Sequence, residues 1–365
     1  MENYDLDNFE PAARIVVIGV GGAGNNAVNR MIDEEINSVE FWVANTDKQA
    51  LSTSKALNRI VLGPEITGGL GAGGNPEIGE QAAEASADDI REIVKGANMV
   101  FIAAGMGGGT GTGAAPVVAR IAKDAGALVV AIVTRPFTFE GKNRVVHSID
   151  GLTKLKEVVD SIIVVSNDKL LMTSGNAPLS QAFFNSDNVL AQSVKTVVNL
   201  IMLPAVINLD FADVRSVLSN SGVAMIGFGT GTGPNRAKDA ATNAINSPLL
   251  EASISGARRA IVAVTCGVNV SLFDAQDTVN LLIDASGHDV DIKFGVSIND
   301  QLDDEILVSV IASDFKDEIN FAASAQYTNP ISREQPANKE VDEQEESNPE
   351  LDDYDILTDF MEGKN

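Results

Sequence analysis

The sequence predicts an α/β protein, and three observations support that fold class. Apolar runs typical of strands alternate with helical patterns over residues 13–176, which indicates a doubly wound, mostly parallel sheet. A long amphipathic segment follows and predicts one central helix over 179–203, stopped by Pro204. Shorter strands and two helices come after it, and they indicate a smaller C-terminal α+β domain.

The apolar runs place the individual elements. Strands are expected at 15–20, 41–44, 99–104, 128–133 and 162–165, and again near 224–227, 260–265, 292–297 and 306–311. Helices of the second part are expected near 236–247 and 273–285. The predicted domains are therefore 13–178, the central helix 179–203, and 204–317.

The two ends of the chain differ from its centre. Residues 1–12 are polar, and residues 318–350 are polar and acidic with few aliphatic side chains, so both are expected to be disordered. Residues 351–365 regain apolar side chains and are expected to act as a separate tail peptide.

Composition excludes several classes of protein. The formal net charge of −25 disfavours nucleic acid and anionic lipid as partners. The single cysteine, Cys266, cannot form an intrachain disulfide. No signal peptide and no apolar stretch of about 18 residues is present, so we expect a cytoplasmic protein without membrane insertion.

A glycine-rich segment at 105–113 lies between a predicted strand and a predicted helix over 114–125. Glycines let backbone N–H groups turn toward an anion, and a helix N-terminus adds unpaired donors and a positive dipole end. We call this segment the signature loop, and it predicts a phosphate site. Its candidate binding residues are Gly105, Gly107, Gly108, Gly109, Thr110, Gly111 and Thr112.

Two further glycine segments favour a polyphosphate ligand. The first loop, 19–25, precedes a predicted helix over 26–34 and fits G-x-G-x-x-G; its candidates are Gly21, Gly22, Ala23, Gly24 and Asn25. That pattern is equally typical of a Rossmann site with Asp47 as the ribose acid, so an NAD-dependent oxidoreductase remains a competing interpretation. The third loop, 68–76, contributes Ala72 and Gly73.

With these loops, residues 15–312 resemble the FtsZ family of tubulin-like cell-division GTPases. The motifs occur in family order: the three loops, Thr134-Arg135-Pro136-Phe137, Phe139-Glu140-Gly141 with Arg144, Asn167-Asp168, and 208–213. The resemblance implies a tubulin-like fold, GTP and GDP as ligands with Mg²⁺, and GTP hydrolysis. It also implies head-to-tail self-assembly and a role in the bacterial cytokinetic ring at mid-cell, on the inner face of the membrane.

The resemblance also assigns roles to single residues. The first and signature loops would bind the phosphates, and Ala72 and Gly73 would lie over the γ-phosphate, with Gly74 standing where the family usually has alanine. Thr134 and Pro136 would contact the nucleotide, Glu140 and Arg144 would lie near the ribose and base, and Asn167, Phe183 and Asp187 would contact guanine. From the residues alone, a core Phe183, a solvated Asp187 and an exposed Glu140–Arg144 pair remain open. Ser166 stands where the family often has proline.

The candidate catalytic residues are Asp210 and Asp213, with Asn208 beside them. The two acids are three residues apart at a predicted helix start, where Asp210 as N-cap and Asp213 as N3 acid would form a capping box. The resemblance implies that this catalytic loop enters the nucleotide site of the next subunit, with the carboxylates orienting water. We expect no protein side chain to serve as a metal ligand.

The tail also resembles the family. Residues 355–361 are similar to the terminal peptide that binds membrane-tethering and regulatory division proteins, and the candidates are Asp355, Ile356, Leu357, Phe360 and Met361. Leu357 stands where proline is usual, and Glu362 where a basic residue is common. A tubulin-like plasmid-segregation or cell-shape filament remains an alternative. For the oxidoreductase, His147 and His288 lack an evident partner motif.

Overall fold

The computed structural model describes residues 13–174, 178–202, 205–247, 249–250, 254–286 and 290–315. The described residues all belong to one compact unit. The segments predicted to be disordered, the tail peptide, Pro204 and His288 lie outside the described residues.

Within the described residues, ten strands form one sheet in the order β3-β2-β1-β4-β5-β6-β7-β10-β8-β9. Strands β1 to β7 are parallel to one another, β10 is antiparallel to β7 and β8, and β9 is parallel to β8. The strands are β1 (Ile15–Val20), β2 (Glu40–Asn45), β3 (Asn58–Val61), β4 (Met99–Gly105), β5 (Leu128–Arg135), β6 (Ser161–Ser166), β7 (Gly222–Gly231), β8 (Ala257–Cys266), β9 (Asp291–Ile298) and β10 (Ile306–Phe315).

Helices cover both faces of the sheet. They are α1 (Gly21–Asp33), α2 (Lys48–Ser52), α3 (Pro64–Thr67), α4 (Pro76–Ala85), α5 (Ala87–Val94), α6 (Thr110–Asp124), α7 (Lys142–Val158), α8 (Asn167–Ser174), α9 (Leu179–Met202), α10 (Phe211–Leu218), α11 (Arg236–Ile245) and α12 (Leu272–Ser286). Apolar residues of α4 to α7 pack on one face of the parallel strands, and those of α1, α9 and α10 pack on the other. A further core joins α11 and α12 to β8 and β10.

The structure confirms the doubly wound, mostly parallel sheet and the long helix. Helix α9 runs over Leu179–Met202, with Leu190, Val194 and Val198 on its buried face. Strand β3 was not predicted. It is a four-residue edge strand, and its polar residues Asn58 and Arg59 leave too short an apolar run to indicate a strand. The strands of the second part join the same sheet, because β7 continues it through three residue pairs with β6.

The long helix sets the distance between two parts of the candidate site. Asp187 lies near its start and Met202 is its last residue. At 1.5 Å per residue, this span is roughly 22 Å. The C-terminal end of the helix is therefore far outside contact distance of a ligand held at Asp187 of the same subunit.

Candidate nucleotide site and catalytic loop

Two helices begin side by side at the centre of the sheet. Strands β1 and β4 are neighbours, and the order of the strands reverses between them, which is where α/β sheets bind ligands. Helix α1 starts at Gly21 directly after β1, and α6 starts at Thr110 after β4. Neither helix has a side-chain cap or an acidic residue in its first turn. Their unpaired N–H groups and positive dipole ends therefore form an anion-binding crevice.

The glycines of this crevice fall into two groups. A Cβ on Gly21 would lie 2.8 Å from the backbone N of Gly111, and a Cβ on Gly24 would lie 2.2 Å from the Ala103 carbonyl oxygen. Gly21 therefore allows the two helix starts to meet, and Gly24 allows α1 to pack closely on β4. Gly22 and Gly108 instead face open space, where a ligand would lie.

The first loop is shorter than the sequence analysis predicted. The helix expected from residue 26 begins at Gly21, because Gly21 makes the whole turn with φ +73° and the next residues continue as helix. Similarly, the helix expected from residue 114 begins at Thr110. The phosphate-facing groups of both segments are thus helix N-termini rather than open loops.

Asn25 lies in the wall of the crevice. Its side chain is buried, and in the orientation that pairs donors with acceptors it donates to the carbonyl oxygens of Gly19 and Gly21 at 3.0 and 2.8 Å. It also accepts from Asn45 Nδ2 at 3.2 Å. Asn25 therefore braces the turn whose N–H groups face the ligand.

The signature loop is closed by its own threonines. Thr112 Oγ1 accepts from the Gly107 N–H at 2.8 Å, and Thr110 Oγ1 lies 2.6 Å from Thr46 Oγ1. Gly107 has φ +105°, and a Cβ there would meet the Arg144 carbonyl oxygen at 2.8 Å. The loop is therefore held in shape before any ligand binds.

Thr134 and Pro136 lie beside the signature loop. Both are candidate nucleotide-binding residues. The Met106 N–H donates to the Thr134 carbonyl oxygen at 2.9 Å. Pro136 Cγ would lie 3.2 Å from a Cβ on Gly107, and Ala23 Cβ would lie 2.7 Å from a Cβ on Gly105. These residues fix the spacing between the signature loop, β5 and the first turn of α1.

The third loop connects α3 to α4, not a strand to a helix as the other two segments do. Gly71, Gly73 and Gly74 have positive φ of +91°, +59° and +78°, a conformation that suits glycine at position 74. Ala72 is buried, and its Cβ would lie 2.9 Å from a Cβ on Gly109. The third loop thus packs directly on the signature loop.

Asp47, the acid considered for a ribose contact, has another position. It is the N-cap of α2, and its Oδ1 accepts from the N–H groups of Gln49 and Ala50 at 2.8 and 3.3 Å. A carboxylate committed to a helix N-terminus is a structural cap.

A cluster of aromatic rings follows β5 and includes Phe183 of α9. Phe137 is buried, stacks on Phe139 at 5.0 Å between ring centroids, and meets Phe183 edge-on at 5.0 Å. Phe183 is 42% exposed, so one surface of its ring remains open. Phe183 was predicted from the sequence as a site residue, whereas the support that it receives from Phe137 and Phe139 was not.

Glu140 and Arg144 form the ion pair that their spacing allows. Arg144 NH1 lies 2.5 Å from Glu140 Oε2, and Glu140 Oε1 accepts from the Phe137 N–H at 2.9 Å. Next to them, Asp168 accepts from the Thr138 N–H at 2.9 Å. These contacts hold the segment after β5 and orient Phe137 and Phe139.

Asp187 has the most perturbed carboxyl group of this region. Burial raises the pKa of Asp187 to about 7, and burial is the sole cause of the shift. Its neighbour Ser186 donates to Asn167 Oδ1 at 2.7 Å, which brings the three residues together. A desolvated carboxyl beside an open aromatic ring suits a ligand that donates hydrogen bonds.

The catalytic loop follows α9. Asp210 Oδ1 accepts from the Asp213 N–H at 2.8 Å, and Asp213 Oδ2 accepts from the Asp210 N–H at 3.4 Å. The predicted capping box is therefore confirmed, at the start of α10. Asn208 Oδ1 accepts from the Ala205 N–H at 3.0 Å. Asp210 and Asn208 are exposed, and Asp213 is half-buried.

Neither a cluster of metal-ligating side chains nor a membrane-spanning helix occurs in the described part of the chain. No group of three or more His, Cys, Asp or Glu side chains there could hold a metal ion. No helix among those residues is long and apolar enough to cross a membrane.

The fold and the crevice define a class of nucleotide-hydrolysing protein. The model of the Tubulin/FtsZ family GTPase domain matches residues 14–175, and that of the FtsZ family C-terminal domain matches residues 222–316. Among solved structures, the chain is similar to an empty FtsZ dimer from M. jannaschii, with 43% identity and a TM-score of 0.81 over 85% of this chain and 90% of that one. The chain belongs to the FtsZ family.

More distant structures share the fold alone. The chain is similar to CetZ2 from Haloferax volcanii, solved as a GTPγS-bound protofilament, at 20% identity and a TM-score of 0.72 over 85% of this chain and 96% of that one. CetZ1 from the same organism, a GDP-bound monomer, gives 18% identity and a TM-score of 0.74 over 85% and 97%.

Family membership confirms several expectations. The protein is a tubulin-like GTPase that binds GTP and GDP, and its family is one of self-assembling filament proteins of cell division. This result replaces the oxidoreductase interpretation.

Proposed function

We propose that this protein polymerises head to tail and hydrolyses GTP only at the contact between subunits. The observation that carries the proposal is the separation of the two half-sites. The crevice and Asp187 belong to one half-site, and the catalytic loop follows the far end of α9, whose last residue lies roughly 22 Å along the helix axis from Asp187. A second copy has to bring its catalytic loop to the crevice, and a heterologous contact that does not close produces a filament.

Exposed apolar side chains support a contact at both places. Leu70 of the third loop is 84% exposed, beside the crevice. At the catalytic loop, Val206 and Ile207 are exposed and their N–H groups donate to the Val296 carbonyl oxygen of β9. Leu272 and Phe273, in the first turn of α12, are 73% and 77% exposed. Apolar side chains this exposed are typical of association surfaces.

In the proposed mechanism, the N–H groups of the first and signature loops bind the phosphates and offset negative charge in the transition state. Ala72 and Gly73 lie over the γ-phosphate. Asp210 and Asp213 of the neighbouring subunit orient the attacking water, and Asn208 holds their loop. Loss of such a water-orienting group from phosphoryl transfer should cost about 10²-fold or more.

Mg²⁺ is part of the proposal. The first turns of α1 and α6 carry no acidic residue, so the crevice offers no carboxylate of its own there. These residues fit an ion held mainly by phosphate oxygens and water, as is usual for Mg²⁺ with nucleotides. When bound, the ion supplies positive charge against the phosphates.

Base selection is proposed for Asp187, Asn167 and Phe183. Guanine donates hydrogen bonds through N1–H and N2–H₂, and adenine has no N2 donor. A desolvated Asp187 carboxylate is therefore a better partner for guanine than for adenine. The open ring of Phe183 provides a surface for stacking. Glu140 and Arg144 complete the ribose and base end, and Thr134 and Pro136 complete the nucleotide contacts.

The cellular role follows from the family. We propose a scaffold for the cytokinetic ring, located at the inner face of the membrane at the division site, with residues 351–365 binding membrane-tethering and regulatory proteins. The relative at 43% identity is archaeal, so the proposal is for a prokaryotic division site rather than a bacterial one alone. The domain boundaries at 178, 203 and 317 and the linker 318–350 belong to this proposal. The plasmid-segregation and cell-shape alternatives rest on tubulin-like relatives in general and have less support.

The test is the specific GTPase activity of the full chain against its concentration. Activity per subunit should be close to zero at low concentration and rise above a threshold, together with light scattering from filaments. A subunit that hydrolyses GTP at full rate below that threshold would contradict the proposal.

A further inference from the structure

A buried threonine joins three parts of the nucleotide site. Thr46 follows β2 directly and is 0% exposed. Its Oγ1 lies 2.6 Å from Oγ1 of Thr110, the first residue of α6. Its carbonyl oxygen accepts from the Gly71 N–H at 3.1 Å and from Thr67 Oγ1 at 3.3 Å. One residue therefore contacts both the phosphate-facing helix start and the third loop.

The hydrogen bond between the Thr46 and Thr110 hydroxyls can run in either direction, and a bound phosphate favours one of the two. Each hydroxyl has a single proton. If Thr46 donates to Thr110, the Thr110 proton is free for a phosphate oxygen at the N-terminus of α6. The reverse direction uses that proton within the pair. A bound phosphate thus favours a chain from Thr46 to Thr110 to phosphate, and bonds in one chain strengthen each other.

The backbone around Thr46 carries the third loop. The Lys48 N–H donates to the Gly69 carbonyl oxygen at 3.0 Å, and Asp47 pairs with Leu70 as an antiparallel bridge. Together with the bond between Thr46 and Gly71, this fixes residues 69–71 to residues 46–48. A shift of Thr46 therefore shifts the start of the segment that continues to Ala72 and Gly73.

We propose that Thr46 is a positioning residue that couples phosphate bound at Thr110 to closure of the third loop over the γ-phosphate. It thereby contributes to the preference for GTP over GDP. Thr46 contacts no substrate atom itself. The inference rests on the proposed function, since it takes GTP as the ligand of the crevice.

The test compares three variants of the full chain below the assembly threshold. Thr46→Val removes the hydroxyl and keeps the branched shape. We expect its affinity for a slowly hydrolysed GTP analogue to fall about 3- to 10-fold, the range for one lost hydrogen bond, with GDP affinity changed less than about 2-fold. Thr46→Ser should restore the wild-type ratio of the two affinities. Thr53→Val, which removes an exposed hydroxyl bonded to the Ala50 carbonyl oxygen, is the matched control and should change neither affinity.

The ratio of the affinity for the GTP analogue to the affinity for GDP separates a positioning role of Thr46 from a general effect on folding. If Thr46→Val leaves this ratio at the wild-type value, whether both affinities fall equally or neither falls, the inference is overturned. If Thr46→Val does not fold, Thr67→Val removes the side-chain hydrogen bond from Thr67 Oγ1 to the Thr46 carbonyl oxygen and should lower the same ratio. A wild-type protein that binds neither guanine nucleotide would instead refute the proposed function.

Discussion

The nucleotide crevice and the catalytic loop are held in place by different parts of the chain. In the crevice, backbone groups of two helix starts face the ligand, and glycines at van der Waals contact fix them between buried strands. In the catalytic loop, two side-chain carboxylates hold each other's backbone in a capping box and remain largely accessible. The crevice is therefore complete in one subunit. The carboxylates have a structural task in the free subunit, and the proposed mechanism gives them a catalytic one at a subunit contact.

The largest expected effect separates these two tasks of Asp210. Serine is as good an N-cap as aspartate but has no carboxylate. Asp210→Ser should therefore keep the thermal stability and the GTP affinity of the wild type, while the steady-state hydrolysis rate falls about 10²-fold or more. Asp210→Ala should lose the same activity and about 1 kcal/mol of stability as well. Full activity in Asp210→Ser would show that the carboxylate serves only as a cap.

The next effect tests the two groups of glycines in the crevice. A Cβ on Gly108 meets no protein atom within 4 Å and would enter the open space that the proposal assigns to the phosphates. Gly108→Ala should therefore leave the melting temperature unchanged and weaken GDP binding about 10-fold or more. A Cβ on Gly24 collides with the Ala103 carbonyl oxygen, so Gly24→Ala should destabilise the fold by about 1–3 kcal/mol. Denaturant unfolding and nucleotide titration measure both, and equal behaviour of the two variants would refute the distinction.

A third effect is the dependence of binding on pH. In the proposed base recognition, guanine donates to the charged form of Asp187, whose pKa burial raises to about 7. Affinity for GDP should be constant above that pH and fall by up to about tenfold per unit below it, because the proton must be released first. Asp187→Asn should bind more weakly and lose this dependence, while titration of the phosphate itself remains the same in both proteins. A parallel pH profile in the two proteins would exclude Asp187 from base recognition.

The raised pKa of Asp187 also predicts how the stability of the nucleotide-free protein depends on pH. Its folded pKa of about 7 exceeds the ordinary value of 3.8, so between these values the folded state binds more protons than the unfolded state. The contribution of Asp187 to the free energy of unfolding should therefore fall as pH rises through this window. Asp187→Asn should flatten that part of the profile in urea unfolding.

The smallest effect is expected from the tail. Deleting residues 351–365 removes neither the crevice nor the catalytic loop, so the assembly threshold and hydrolysis rate in solution should stay within about 2-fold of wild type. Recruitment to a membrane-tethering partner should be lost. A deletion variant that no longer assembles would place part of the subunit contact in the tail.

The crevice could be predicted from the sequence because its signals are local. Glycine spacing after an apolar strand identifies a phosphate site, and the structure shows helix N-termini where the glycines stand. The capping box was also predicted, since it depends on two residues three apart. The hydroxyl contact between Thr46 and Thr110 and the packing of Phe137 on Phe183 were not, because the partners are far apart in sequence. The raised pKa of Asp187 likewise depends on tertiary burial.

The helix boundaries show the same limit. Gly21 and Thr110 begin helices although glycine and threonine are poor helix formers, because their positions are fixed by the neighbouring strands β1 and β4. Helix propensity alone places both predicted helix starts too late in the sequence, at residues 26 and 114. The edge strand β3 was missed since pairing with β2, rather than an apolar pattern, defines it.

Complementation between two defective variants tests the shared site most directly. Asp213→Ala should keep its nucleotide site and lack a proposed catalytic carboxylate, whereas Asp187→Ala should keep its catalytic loop and bind GTP weakly. At a GTP concentration that saturates only the first variant, each protein alone should hydrolyse at about 1% of the wild-type rate or less. The account predicts that mixing them restores hydrolysis, because an Asp187→Ala subunit completes the occupied crevice of an Asp213→Ala subunit. A mixture whose rate equals the sum of the two separate rates at every ratio would contradict it.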